Sequence, residues 1–540
     1  MRRAQVGLLV TGVLLAVALA FGLPWRLIPA TGPGPSPTPG TSSAGPTPAA
    51  TSPAAPPAIG VSPGATPTTL APGPVPIVPV ADFRTKTTSI GPAQLRAVVA
   101  GASPTWTRLE LVADQADAIL TVLGQTRSSA GARLLTARNA AAVMADLATH
   151  RDRLAFLRAD EIGPGVRALD WNGKGLFGVH RLKVLGDWPL VASLPLAPVP
   201  YDPTATWTLF ASGDLGLDRT YAYVVKNLHK GVDYPFAGGT ARIAGLTCCS
   251  SFGWKVPTIV STGHPGAMRD LISSADLALT NMEESAPTRF TYHPTGTSFT
   301  GDPALIAGIA RAGIDVASCA STHIGDGGSA GILQTMSSLR KYGIVPFGAG
   351  KNLAAARQPA IFNEGGVKVA IVGYDGISGK YYGASATTIG DTPLNPAFFK
   401  ADVAAARAAG AGVVIAFPHW GIEYTGGPSA LQQRLGRQMI DAGFDIVIGN
   451  HPHWAQAMEV YKGKPIWYSL GNFTFDQGWS EPTLEGITLE LTFRGATLVQ
   501  AWINPHILID AVQPNLLALA GDGQRVLQPI YKASGKLLPW

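Results

Sequence analysis

His451 and His453 stand one residue apart in Gly449-Asn450-His451-Pro452-His453, directly after the run Asp445–Ile448. Two imidazoles at that spacing, just past a strand end, can address one metal pair without help from a helix. Imidazole suits zinc, manganese, iron and nickel alike. Other strand-like runs end in comparable groups: Gly213-Asp214, Asn281-Met282-Glu283, Thr322-His323 and His419-Trp420-Gly421. Together these ends supply two carboxylates and four of the chain's 10 histidines. Singly, each has a structural reading: Asp214 as a turn cap, His323 as a core histidine, Glu283 beside Glu284 as an exposed acidic pair. Jointly, one explanation covers them all, a polynuclear metal site that acidifies water for hydrolysis.

The elements that must position these groups are short strands alternating with helices. Strand patterns fall at Trp207–Ser212, Leu277–Thr280, Val316–Cys319, Val367–Gly373, Val413–Phe417 and Asp445–Ile448, with a further one breaking at Gly471-Asn472. Helical patterns lie between them at Pro303–Ala312, Ser329–Tyr342, Pro396–Ala409 and Ser429–Ala442. Gly313, Gly343, Gly410 and Gly443 follow these helices as C-caps should. Alternating strands and helices predict an α/β layered fold, whose ligands gather beyond the carboxyl ends of the strands.

Of the 540 residues, 46% are hydrophobic and 14% charged, with 63 Gly and 44 Pro. The net charge of +6 comes with no block of Lys and Arg interleaved with aromatics, which argues against nucleic-acid binding. The mild cationic balance favours anionic polymers as partners. Three cysteines are too few for a disulfide framework. Cys248, Cys249 and Cys319 are expected as small thiols, with a vicinal bridge or a bridge to Cys319 as the alternatives.

Residues 1–25 open with Arg2-Arg3 and run without charge from Val6 to Leu23, as an uncleaved anchor or a signal peptide would. The anchor reading leaves Arg2 and Arg3 in the cytoplasm and everything downstream outside. Residues 26–80, dominated by Pro, Ala, Thr, Ser and Gly, are expected to form a disordered tether. Extended, such a segment reaches on the order of 150 Å at about 3.1 Å per residue. Residues 81–204 form a separate small α/β unit, with helices at Pro92–Ala100 and Ala140–His150 and Asn139 as N-cap of the second. Its strand patterns are Arg108–Leu111, Arg133–Thr136 and Leu154–Leu157. Its run Leu154–Gly173 faintly resembles one lobe of periplasmic phosphate-type solute-binding proteins. Residues 205–505 carry the chemistry, and 506–540 are expected as a C-terminal extension.

The text His451-Pro452-His453-Trp454-Ala455-Gln456 followed by Lys464-Pro465-Ile466-Trp467-Tyr468-Ser469-Leu470-Gly471-Asn472-Phe473 closely resembles the signature of the bacterial poly-γ-glutamate capsule-synthesis (CapA-type) family. The resemblance runs over roughly residues 205–505 and implies a four-layer α/β/β/α sandwich like that of metallophosphatases. It implies Asp214, Glu283, Thr322, His419, His451 and His453 as metal-binding positions for one or two divalent ions (Mn, Zn or Fe). His323 becomes the general acid, and Arg219, Asn281, Asp326, Glu423 and Asn472 orient substrate or ligands. Where the family usually has Asn-Asn-His, this chain has Ser321-Thr322-His323. A hydroxyl is a shorter and poorer donor than an amide oxygen, so the second metal position is the one placed in doubt. The implied function is hydrolysis of a phosphoester or cell-surface polymer outside the membrane; the alternative is a non-enzymatic component of a capsule-synthase complex. Gly348-Ala349-Gly350-Lys351 is no phosphate loop, because its spacing is incomplete and no Ser or Thr follows the Lys. Ser469 lacks a nucleophile-elbow pattern.

Overall fold

The computed structural model describes residues 71–378 and 381–538. The expected anchor at 1–25 and most of the expected tether lie outside these residues. Thr68–Trp540 form one compact unit, which contains all four apolar cores found among the described residues.

A central strand of the first 130 residues of that unit, β1 (Pro72–Asp82), corrects the tether boundary at 80. It pairs with β4 (Arg153–Arg158), β5 (Val166–Ala168) and β6 (Val191–Pro195), and the sheet order is β3-β2-β4-β1-β5, where β2 is Arg108–Val112 and β3 Leu134–Ala137. Proline removes a donor but leaves an acceptor. Pro79 accepts from Leu169, while Val75, Ile77, Val78 and Val80 are buried. The Pro-rich composition thus masked a strand. Helices α1 (Pro92–Ala100) and α2 (Ala140–Thr149) cover this sheet, and the Asn139 side chain caps α2 by accepting from the Ala142 amide.

Apart from two short two-stranded pairings, Ser89–Ile90 with Asp170–Trp171 and Ala349–Gly350 with Gly390–Asp391, the remaining strands build two facing sheets. In chain order they are β7 (Thr206–Leu215), β8 (Thr240–Thr247), β9 (Val256–Gly263), β10 (Leu277–Met282), β11 (Val316–Ser318) and β12 (Val345–Phe347). Next come β13 (Ala360–Glu364), β14 (Val367–Asp375), β15 (Ala411–His419), β16 (Ile446–Ile448), β17 (Met458–Tyr461) and β18 (Lys464–Trp467). The last are β19 (Asn472–Thr474), β20 (Glu485–Arg494), β21 (Thr497–Ile509) and β22 (Gln513–Leu517). The first sheet has ten strands in the order β9-β8-β22-β21-β20-β7-β10-β11-β12, with β19 beside β7. The second has six, β13-β14-β15-β16-β18-β17.

Alternation along each strand decides the layers. Leu209, Leu279, Val316 and Leu491 of the first sheet meet Val369, Ile371, Val413 and Ile415 of the second in one inter-sheet core. Their neighbours Phe210, Ala278 and Ala317 face outward, against α3 (Ile306–Ala312) and α4 (Gly328–Lys341). Ala370, Val372, Val414 and Ala416 likewise face α5 (Pro396–Ala408) and α6 (Ala430–Ala442) on the other side. The result is the expected four-layer α/β/β/α sandwich. Gly313, Gly343, Gly410 and Gly443 all take positive φ at the helix ends, as their positions required.

Two further boundaries shift. The expected extension at 506–540 is part of the sandwich: β21 runs through the boundary, and Ile507, Leu517, Val526, Leu527 and Ile530 are buried in the inter-sheet core. The small unit is also fixed to the first sheet. Val499 of β21 lies in its core, Gln500 Oε1 accepts from the Ala168 amide, and the Arg167 guanidinium sits 4.4 Å from the Trp502 ring centroid.

Cys248 and Cys249 are joined as a vicinal disulfide, which corrects the expectation of free thiols there, whereas Cys319 is a buried thiol. Among the described residues no helix is long and apolar enough to cross a membrane.

Candidate metal centre

Three neighbouring strands of each sheet end at the same edge of the sandwich: β7, β10 and β11 in one, β14, β15 and β16 in the other. Asp214 lies one residue before the end of β7, Glu283 follows β10, Thr322 and His323 follow β11, and His419 closes β15. His451 and His453 follow β16 in a turn where both take positive φ, 96° and 58°. Non-glycine residues hold that conformation only where the surroundings impose it. After Trp467 the chain leaves the second sheet and joins the first at Asn472, turning at Gly471 with φ of 74°. The expected strand across Tyr468–Phe473 is therefore a crossing between sheets.

The convergence expected from sequence is present. Asn281 Nδ2 donates to Asp214 Oδ1 and to Glu283 Oε2, each at 2.8 Å. His419 Nε2 lies 3.4 Å from Glu283 Oε1 and 2.8 Å from Thr322 Oγ1, and Thr322 Oγ1 is also 3.4 Å from His451 Nδ1. His453 Nδ1 is 2.9 Å from Asn472 Oδ1 and 3.2 Å from Asp214 Oδ2. Glu423, with a side chain 45% exposed, reaches 4.0 Å from His453 Nε2 and forms the rim. Potential ligand atoms of Glu283, His419 and His451 lie within 4.8 Å of one another, as do those of Glu423, His451 and His453.

Arg219 and Asp326 stand one contact further out. Asp326 Oδ2 holds His323 Nδ1 at 2.9 Å. Arg219 Nε donates to Asp476 Oδ1, and its guanidinium lies 4.4 Å from the Phe299 centroid and 5.5 Å from that of Phe475. Phe299 packs edge-on to His323, and Phe475 stacks on His453. Arg219 thus braces the two rings that hold the histidines.

The electrostatics follow from burying so many ionisable groups together. Burial alone would lower His419, but the Glu283 and Asp214 carboxylates raise it to about 9. Burial opposes ionisation of Asp214, yet the His453 ring holds its carboxyl below the usual range, and His453 is raised in return. His451 is pushed well below its ordinary value by burial and by its histidine neighbours, which keeps its lone pair available. The donor set fits a divalent cation on a further ground: Asn281 Oδ1 is buried without a hydrogen-bond partner.

Sequence reasoning missed several residues here. Asn450 is buried with both amide atoms unpartnered, and it bridges to His419. Its place inside the Gly-Asn-His turn was the signal. Asp375 pairs in register with His419, two residues past the expected end of its strand. Tyr424 faces His453 at 6.0 Å, on a backbone with φ of 60°.

His506 supports the site from behind. It is fully buried, and its Nε2 donates to the Asn472 carbonyl at 2.9 Å. Burial pushes its ring down to about 4. The folded protein therefore stays neutral there while the unfolded chain takes up a proton below about pH 6.5. Stability is expected to fall by roughly 3 kcal/mol as pH drops from about 6.5 to about 4 through this group. His506→Gln keeps a donor and removes the titration. Urea unfolding across that range should show a flatter acid limb than in the wild type.

The model of the bacterial capsule synthesis protein family PGA_cap matches residues 208–477, half of the chain. The chain is 39% identical over 166 residues to the PGA biosynthesis protein CapA of Bacillus subtilis, a match covering 31% of this chain and 43% of that protein. It is 32% identical over 240 residues to the capsule biosynthesis protein CapA of Bacillus anthracis, covering 44% and 57% respectively. The matched segments thus span about half the length of these relatives. A 5'-nucleotidase precursor from Thermus thermophilus aligns at 13% identity with a TM-score of 0.33, covering 61% of this chain and 58% of that one. The matched region takes in every strand end that builds the Glu-His cluster, and the chain belongs to the bacterial capsule synthesis family PGA_cap.

Proposed function

We propose that the protein is a capsule-synthesis accessory hydrolase, tethered outside the membrane by its N-terminal segment, that cleaves a phosphoester or an anionic cell-surface polymer. The observation that carries this reading is the meeting of Glu283, His419 and His451 at the shared edge of two sheets, with Asp214 and His453 alongside. These residues would hold one or two divalent ions, with Glu423 at the rim. A bound divalent ion supplies an acidified water and neutralises charge on the ester oxygens.

The chain's own groups do the rest. Asp326 fixes one nitrogen of His323 and leaves the other to protonate the departing oxygen. Asn281 bridges the two carboxylates through one amide group and so sets their spacing. Asn472 holds the His453 ring by one nitrogen, while Phe475 and Tyr424 cover its two faces.

The test is metal content by elemental analysis, together with hydrolysis of bis-p-nitrophenyl phosphate by the full chain with Mn²⁺ or Zn²⁺. Hydrolysis with bound metal is expected. Protein that takes up neither ion would overturn the reading.

One observation favours a second reading, a non-catalytic assembly component. Thr322 Oγ1 sits 2.8 Å from the His419 nitrogen that also faces Glu283. A hydroxyl there competes with a metal for His419 and is itself a weak ligand. Thr322→Asn is therefore expected to tighten metal binding, on the order of tenfold by competition titration. If wild type is inert and the variant hydrolyses the ester, this chain has kept the scaffold and lost the second ion.

A further inference from the structure

The hairpin of β8 and β9 stands at the edge of the ten-stranded sheet, paired with the body through its base, and on its returning strand Pro257 is buried opposite Leu246. Thr240 and Ala241 pair with β22, and the Ile243 amide donates to Asp522 Oδ2 at 2.7 Å. Beyond Ile243 every residue from Ala244 to Cys249 is exposed, as are Ser251, Phe252 and Gly253 at the turn. At about 3.3 Å per residue, the finger projects on the order of 15 Å from its last anchoring contact.

Its surface is unusual for a projection into water. Leu246 is 47% exposed, Phe252 53% and Val260 37%, and the vicinal disulfide of Cys248 and Cys249 is exposed between them. No Asp or Glu occurs between Asp233 and Asp270, although the chain holds 35 acidic residues. Arg242 and Lys255 are both exposed on the finger. Trp254, at the base of the turn, returns its carbonyl to the Ser250 amide at 2.9 Å, so the tip is a closed, shaped loop. An apolar tip with an aromatic at its apex, flanked only by cations, has the composition that partitions into the headgroup region of an anionic bilayer.

We propose that the tip around Leu246, Phe252 and Trp254 inserts into an anionic lipid surface, with Lys255 at the level of the headgroups and Arg242 further back along the finger, where it adds to the attraction. This contact is independent of the N-terminal segment. It lies outside the metal centre and orients the folded unit on a membrane. A soluble anionic polymer would need the cations but not the exposed Leu and Phe, so lipid is the occupant that accounts for both.

The experiment is flotation of the compact unit 68–540, which lacks the apolar N-terminal run, with vesicles of phosphatidylglycerol and phosphatidylcholine. Wild type is expected to float with mixed vesicles, to remain unbound with pure phosphatidylcholine, and to dissociate as salt rises. Phe252→Asp is expected to weaken partitioning on the order of tenfold, and Lys255→Glu less. Neither residue touches the metal centre, so the unfolding midpoint and metal content should be unchanged, which separates loss of docking from loss of fold. Wild type that ignores anionic vesicles would overturn the proposal. So would equal flotation of Phe252→Asp, or binding to soluble poly-γ-glutamate in place of vesicles.

Discussion

His451→Ala is expected to remove both metal and hydrolysis, by on the order of a hundredfold or more in each. His451 belongs to both triads of ligand atoms, one with Glu283 and His419, the other with Glu423 and His453. Burial and three neighbouring histidines also disfavour its charged form, which leaves the ring neutral and able to bind a cation. Because the ring is uncharged, removing it deletes a ligand while the carboxylates keep the same charge partners, His419 and His453. The measurement is paired: metal per chain by elemental analysis, and ester turnover at saturating Mn²⁺. Turnover that survives in His451→Ala would show that the hydrolytic groups lie elsewhere. His451 adjoins a strained turn, so the unfolding midpoint of the variant must be recorded beside its activity.

The second large effect lies in the backbone under the site. An added Cβ at Gly213 would stand 1.8 Å from the Gly471 carbonyl oxygen. That carbonyl accepts from the Asp214 amide at 3.1 Å, and the contact brings the chain from the second sheet against β7 of the first. A main-chain carbonyl fixed by its hydrogen bond to Asp214 cannot swing aside like the end of a long side chain. Gly213→Ala must therefore part the two segments, at a cost of about 3 kcal/mol or more. It should also separate Asp214 from Asn472 and His453, so metal binding falls together with stability. Urea unfolding and metal content measure the two losses. Gly426→Ala, where nothing lies within 4 Å, should change neither. A Gly213→Ala protein of unchanged midpoint would contradict the close approach.

Much of this site was legible before any coordinates. His451 and His453 are separated only by Pro452, and strand ends can be located from apolar runs, so Asp214, Glu283, His323 and His419 could be gathered by the rule that α/β sites lie at carboxyl ends. Helix ends were equally readable, because Asn139 and the glycines after the helices act through local bonds. Composition misled where a residue type has two uses. The prolines of Pro72–Asp82 read as an extended tether, yet they supply carbonyls to a buried strand whose partners are over seventy residues away. The same distance problem hid Asn450, whose buried amide has meaning only beside His419.

The sequence by itself determined the strand and helix alternation, the ligand types and their order along the chain, because these depend on periodicity and short-range spacing. Only the tertiary structure decided that the small N-terminal unit is fixed to the first sheet, that residues 506–538 complete the sandwich, and that the β8–β9 finger projects with its apolar tip uncovered. Those outcomes depend on which faces meet across long separations, and burial between partners distant in the chain leaves no periodic mark on either one.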